Sequence, residues 1–130
     1  MNERKDLPAL SEVQLEIMNV LWTLEEATLG DIWAELSARR PVARNTVQTL
    51  LTRLVDKGWV LYRQDGKSFV YRSAREKGAA RRQILGRVLD AAFQGSAEGL
   101  MMTLLEDRSI TAEEADRLRS LIDEAERQEP

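Results

Sequence analysis

Between Asn45 and Val55 the chain alternates apolar and polar positions at three- and four-residue steps, with Val47, Leu50, Leu51, Leu54 and Val55 on one side. At about 100° per residue these five cover roughly 140° of a helix, which predicts one buried stripe. The other side holds Asn45, Thr46, Gln48, Thr49, Thr52 and Arg53. Upstream, Val13, Ile17, Val20, Leu21 and Leu24 predict a first helix, opened by a Ser11/Gln14 capping box. Leu29, Ile32, Trp33 and Leu36 predict a second, with Thr28 and Asp31 at its start.

Gly58 stands where a left-handed helix cap is expected, and beyond it the pattern changes. Trp59–Tyr62 and Ser68–Tyr71 are aromatic and β-branched runs with Asp65-Gly66 as the expected turn, which predicts a hairpin. Arg63 and Lys67 flank that turn and make its tip cationic. Further on, the apolar spacing is helical again. Arg81 to Phe93 carries Ile84, Leu85, Val88, Leu89 and Ala92, and Gly95-Ser96 interrupts it. Leu100, Met101, Leu104 and Leu105 mark a short helix, and Thr111 with Glu114 is a capping box for a last one bearing Ala115, Leu118, Leu121, Ile122 and Ala125.

These elements predict a mainly α protein with a small β-hairpin wing. Residues 1–77 read as a winged helix-turn-helix domain and residues 78–130 as a helical region. Three short amphipathic helices in about 50 residues cannot readily enclose a core of their own. A twofold partner supplying the missing face makes residues 78–130 a dimerisation region, with Leu85, Val88, Leu89, Leu100, Met101, Leu104, Leu118, Leu121 and Ile122 on the seam. The other reading folds these helices back on the winged domain. Trp22, Trp33 and Trp59 read as core residues, and Met101 and Met102 as helix packing.

Composition narrows the chemistry. The 130 residues include no cysteine and no histidine, so disulfides, thiolate metal sites, serine-histidine triads and histidine acid-base catalysis fall away. No phosphate-cradling glycine loop is present either, and neither an enzyme, a metal site nor a cofactor is expected. The N-terminus lacks a signal-peptide core and no run approaches the roughly 18 apolar residues of a membrane span, so the expectation is a cytoplasmic protein without membrane insertion.

The net charge of −3 hides a strong asymmetry. Residues 39–77 hold ten basic and three acidic groups, while the segments on either side are acidic. That basic block coincides with the polar helix and the hairpin. Screening confines charge effects to about 8 to 10 Å at physiological salt, so a local positive patch suffices for phosphate binding. One arginine, two amides and three hydroxyls are the groups that pair with base edges and phosphates in a major groove. Arg44, Asn45, Thr46, Gln48, Thr49, Arg53 and Lys67 are therefore the candidate contacts to double-stranded DNA. Arg39 and Arg40 read equally as phosphate contacts or solvated charge, and Thr28 as a cap or a phosphate contact. A winged-helix module that binds protein rather than DNA is the alternative from another class, because one fold serves both purposes.

The run Asn45-Thr46-Val47-Gln48-Thr49-Leu50-Leu51-Thr52-Arg53-Leu54, then Lys57-Gly58 and Asp65-Gly66-Lys67, resembles the penicillinase-repressor (BlaI/MecI) family of bacterial transcription regulators. The resemblance extends from about Leu10 to Ala125. It implies a winged helix-turn-helix, a helical dimerisation domain, and homodimers on inverted-repeat operators of the TACA and TGTA kind. It assigns DNA contacts to the positions of Asn45, Thr46, Thr49 and Arg53 and to the wing near Lys67. Arg44 stands where relatives often carry a small residue or proline, so its contact rests on the helical face alone. The resemblance further implies a sensor metalloprotease that cleaves an Asn-Phe bond in the dimerisation domain. Thr103-Leu104 stands at the matching position, a departure that counts against that route of induction. A copper-responsive branch uses C-terminal cysteines, which this chain lacks.

Overall fold

A computed structural model describes residues 6–128. Its elements are α1 (Glu12–Leu24), β1 (Ala27–Thr28), α2 (Leu29–Ser37), α3 (Arg44–Asp56), β2 (Val60–Asp65), β3 (Ser68–Ser73), α4 (Lys77–Phe93), α5 (Ala97–Asp107) and α6 (Ala112–Arg127). Ser11 and Gln14 exchange bonds at the start of α1, which completes the expected capping box, and Thr28 and Asp31 do the same at the start of α2, where the sequence predicts only a weaker cap. Each box satisfies backbone N–H groups that the first turn of a helix leaves without partners.

The helix α3 ends as Gly58 predicts. With φ at +88°, Gly58 donates its N–H to Val55 and Trp59 donates to Leu54, each at 3.0 Å, the pair of bonds that makes a Schellman motif. The chain leaves this cap directly into the buried indole of Trp59, fully enclosed beneath the sheet, with Val60 beside it. Strands β2 and β3 pair antiparallel from Val60↔Ser73 to Asp65↔Ser68. Asp65 thus belongs to the strand, and the two-residue tip is Gly66-Lys67, with the glycine at positive φ in the first central position. The expected Asp65-Gly66 turn is one residue too early, because a primed turn of this kind places its glycine first. A third strand, β1, was not predicted: Ala27 and Thr28 pair with Tyr71 and Val70, giving the order β1-β3-β2. Two residues between helices carry no readable alternation.

The core joins α1, α2 and α3 to the sheet. Ile17, Leu21, Ile32, Val47, Leu51, Leu54 and Trp59 are all fully buried. Two expected core positions are exposed instead. Leu24 is 43% exposed, because α1 ends there and the next residue, Glu25, turns the chain at φ +71°. Trp33 is 37% exposed and instead donates its indole N–H to the Val42 carbonyl at 2.8 Å, bracing the connection from α2 to α3. Met18 and Gln14 are buried in α1 without having been expected there.

The chain divides between Leu85 and Gly86 into two compact units, so the break lies inside α4 rather than at its first residue. The opening turns of α4 belong to the first unit, where Ala80 is fully buried. In the second unit, Ser96 caps α5, and at α6 one half of the expected box forms, the Thr111 hydroxyl accepting from the Glu114 N–H, yet neither helix buries a single residue. Met102, expected as packing, is exposed. No described helix is long and apolar enough to cross a membrane.

Candidate nucleic-acid interface

The stripe Val47, Leu51 and Leu54 turns α3 inward and fixes which residues face out. Arg44, Asn45, Thr46, Gln48, Thr49 and Arg53 are all exposed, as is Lys67 at the hairpin tip. Among the described residues none of these seven side chains bonds to another part of the protein. Their donors and acceptors therefore face solvent, six of them in one array along the first three turns of the helix and the Lys67 ammonium at the hairpin tip.

Two anchors hold α3 in place. At its C-terminal end the Lys57 ammonium donates to the Ala9 carbonyl and to Gln14 Oε1, each at 3.0 Å. Its charge also suits the negative end of the helix. At the other end Trp33 holds the Val42 backbone, just before α3 begins. Trp22 ties α1 to the sheet by donating to Ser73 Oγ and the Arg75 carbonyl, each at 3.0 Å.

Ion pairing sorts the basic block. Arg40 makes a two-pronged pair with Glu16, at 2.7 and 3.0 Å, and this hydrogen-bonded guanidinium lowers the Glu16 carboxyl below its ordinary pKa. Arg40 accordingly braces α1 against the end of α2. Arg63 is bound to Glu26 at 3.0 Å, so it is not the free tip cation that the sequence suggests. Among the described residues that leaves Lys67, Arg44 and Arg53 without an ion pair on this face, and Arg39 is likewise exposed and unpaired just beyond α2. Thr28 acts as a cap, its hydroxyl accepting from Asp31 N–H at 3.1 Å.

Between α3 and the wing lies a cleft of about 280 Å³, lined by Thr28, Leu29, Gly30, Arg44, Gln48, Lys67, Ser68, Phe69 and Tyr71. It brings together Arg44, Gln48 and Lys67 and adds two aromatic residues absent from the sequence-based site. The signal for them was the alternation of Phe69 and Tyr71, which places both rings on one face of β3. Asn45, Thr46, Thr49 and Arg53 lie outside the cleft, further around and along the helix. Among the described residues no group of acidic side chains is arranged to hold a metal ion.

The dimerisation candidates divide by exposure. Leu89, Leu100, Met101 and Leu118 are half-buried, whereas Leu85, Val88, Leu104, Leu121 and Ile122 are exposed. Thr103 and Leu104, the candidate cleavage positions, sit exposed within helix α5.

A helix-turn-helix with a two-stranded wing, a polar outward helix face and a cationic tip defines a winged-helix DNA-binding protein. Residues 10–124 match the penicillinase repressor family, and the chain belongs to that family of DNA-binding transcriptional repressors. It is 26% identical over 120 residues to the penicillinase repressor of Bacillus licheniformis, covering 92% of this chain and 94% of that one. It is 31% identical over 125 residues to the transcriptional regulator BlaI of Mycobacterium tuberculosis, covering 92% and 87%. Among solved structures, monomeric Bacillus licheniformis BlaI in complex with the blaP half-operator superposes with a TM-score of 0.51 at 31% identity, covering 58% of this chain and 92% of that one.

Proposed function

We propose that this repressor acts by occupancy, binding inverted-repeat operator DNA as a homodimer. Each protomer lays the outward face of α3 in a major groove, with Asn45, Thr46, Gln48, Thr49 and Arg53 toward base edges and phosphates. Arg44 and Lys67 hold the backbone beside the groove. The observation that carries this reading is the row of seven exposed polar side chains that bond to nothing else among the described residues. A face evolved only for solvation would more often carry alternating glutamates and lysines.

The second unit supports the dimer. Helices α5 and α6 bury no residue, while Leu121 and Ile122 are each 61% exposed. Open grooves of about 420 Å³ beside Leu100 and Leu104 and about 580 Å³ beside Leu118 and Leu121 run along these helices. A second copy of the same helices fills such grooves and removes apolar surface from water on both sides. Regulation by a sensor protease at Thr103-Leu104 requires α5 to unwind locally, since the bond lies inside the helix.

The test is fluorescence anisotropy with a TACA/TGTA inverted repeat and a scrambled duplex, across about 50 to 300 mM salt. The expected result is preference for the repeat and two protomers per duplex. If Arg44, Arg53 and Lys67 of both protomers each neutralise a phosphate, log K falls against log salt with a slope of about −5. Equal, salt-sensitive binding to both duplexes rejects the operator sequence. Absence of binding at low salt rejects the DNA reading in favour of a protein-binding module.

A further inference from the structure

The cleft between α3 and the wing has a wall that phosphate binding does not explain. Phe69 is 44% exposed, although a ring of this size is ordinarily drawn into a core. It is held in position rather than loose: its ring meets Tyr62 edge to face, with centroids 5.3 Å apart and planes at 89°. Tyr62 in turn stacks obliquely on Tyr71 at 6.2 Å. Arg44 and Lys67 line the same cleft, and no acidic residue lines it. One small concave site thus presents two cations and the exposed Phe69 ring, beside Tyr71 and the polar side chains of Thr28, Gln48 and Ser68.

That combination matches a single repeating unit of DNA backbone. The phosphate takes the cations, and the sugar offers a hydrocarbon surface to the ring. With α3 in a major groove, the space between helix and wing lies over the sugar-phosphate strand that borders the groove.

Building on the DNA-binding reading above, we infer that Phe69 is a specificity residue that reads deoxyribose. Its ring packs on the C2′ methylene of one sugar per half-site, whose adjoining phosphate is held by Arg44 and Lys67. A phenyl ring offers no hydrogen-bond partner, so a 2′-hydroxyl at that sugar is stripped of water without compensation. The wing therefore distinguishes DNA from RNA at a position where no base is read.

The experiment replaces each nucleotide of one operator strand, one at a time, by its ribonucleotide and measures the affinity of the full-length protein. Wild type should lose about tenfold at one position in each half-site relative to the other positions. Phe69→Ala should remove that peak while still preferring the operator to a scrambled duplex, and Phe69→Leu, which keeps an apolar wall, should retain most of it. Altered sugar pucker affects wild type and variants alike, so the difference between scans isolates the contact. A flat wild-type scan, or an unchanged peak in Phe69→Ala, overturns the inference. Should the all-deoxy operator bind no better than the scrambled duplex, the DNA reading itself fails, a result distinct from a flat scan on a specific complex.

Discussion

Gln83 holds both backbone groups of Leu7: its Nε2 donates to the Leu7 carbonyl at 2.9 Å and its Oε1 accepts the Leu7 N–H at 3.3 Å. The neighbouring Pro8 carbonyl accepts the Trp59 indole N–H at 2.8 Å, and the Ala9 carbonyl accepts from Lys57. Residues 7–9 thus form a strap that links the first turns of α4 to the cap ending the recognition helix. Leu7 also lies against Gly58, where an added Cβ would sit 3.3 Å from its Cδ2.

This strap sets where the winged unit can be cut. A fragment ending at Leu85 keeps Ala80 and Gln83, whereas one ending at Lys77 loses both. Two part-buried hydrogen bonds at about 1 kcal/mol each, with the lost apolar burial, make the shorter fragment less stable by about 2 to 4 kcal/mol. Gln83→Ala in the longer fragment should cost about 1 to 2 kcal/mol. Urea denaturation followed by tryptophan fluorescence checks both, and equal midpoints for the two fragments would show that Gln83 and Ala80 contribute nothing to the winged unit.

Arg53 is exposed on the outer face of α3 and makes no bond within the described protein. Arg53→Ala should leave the urea midpoint within about 0.5 kcal/mol of wild type. Operator affinity should fall by about 1 to 3 kcal/mol, with relaxed selectivity at one base position if the guanidinium reads a base. An equal loss on every sequence, with a shallower salt slope, identifies a phosphate contact instead. Unchanged affinity removes Arg53 from the interface.

Leu121 and Ile122 are the most exposed large apolar residues of α6. Replacing both with aspartate should yield a monomer by sedimentation while full-length protein keeps the tryptophan-monitored urea transition of its winged unit. Losing the second half-site should weaken full-operator binding by about 100-fold or more, while affinity for an isolated half-site stays constant. A double variant that still sediments as a dimer places the interface elsewhere.

Burial raises the pKa of the Tyr71 hydroxyl above the ordinary tyrosine value, with a smaller contribution from Tyr62. The folded state therefore keeps this proton to higher pH than the unfolded chain. The corresponding stability is fully present below the unfolded value and is lost as pH rises through the folded one. Tyr71→Phe should flatten that alkaline decline in urea midpoint. Identical declines in both proteins would trace the pH dependence to another group.

The helices and the outward face of α3 were legible because their information is local. Apolar spacing names the buried side of a helix, Ser11/Gln14 and Thr111/Glu114 name its start, and Gly58 names its end. A buried stripe also determines its opposite, so the sequence alone assigns Asn45, Thr46, Gln48, Thr49 and Arg53 to the outer face. The charge asymmetry needed only a count.

What the linear pattern left open depends on residues far apart in the chain. That Arg40 and Arg63 are paired follows from where Glu16 and Glu26 land, 24 and 37 residues away. The strand at Ala27-Thr28 exists only because β3 offers it an edge, and Trp33 is displaced from the core by the path of the α2–α3 connection. The strap of residues 7–9 and the aromatic wall at Phe69 likewise need the finished fold. Periodicity specifies which side of an element is buried, but not what that side meets. Partners, neutralised charges and clefts arise only when separate elements pack, and those were decided by the tertiary structure.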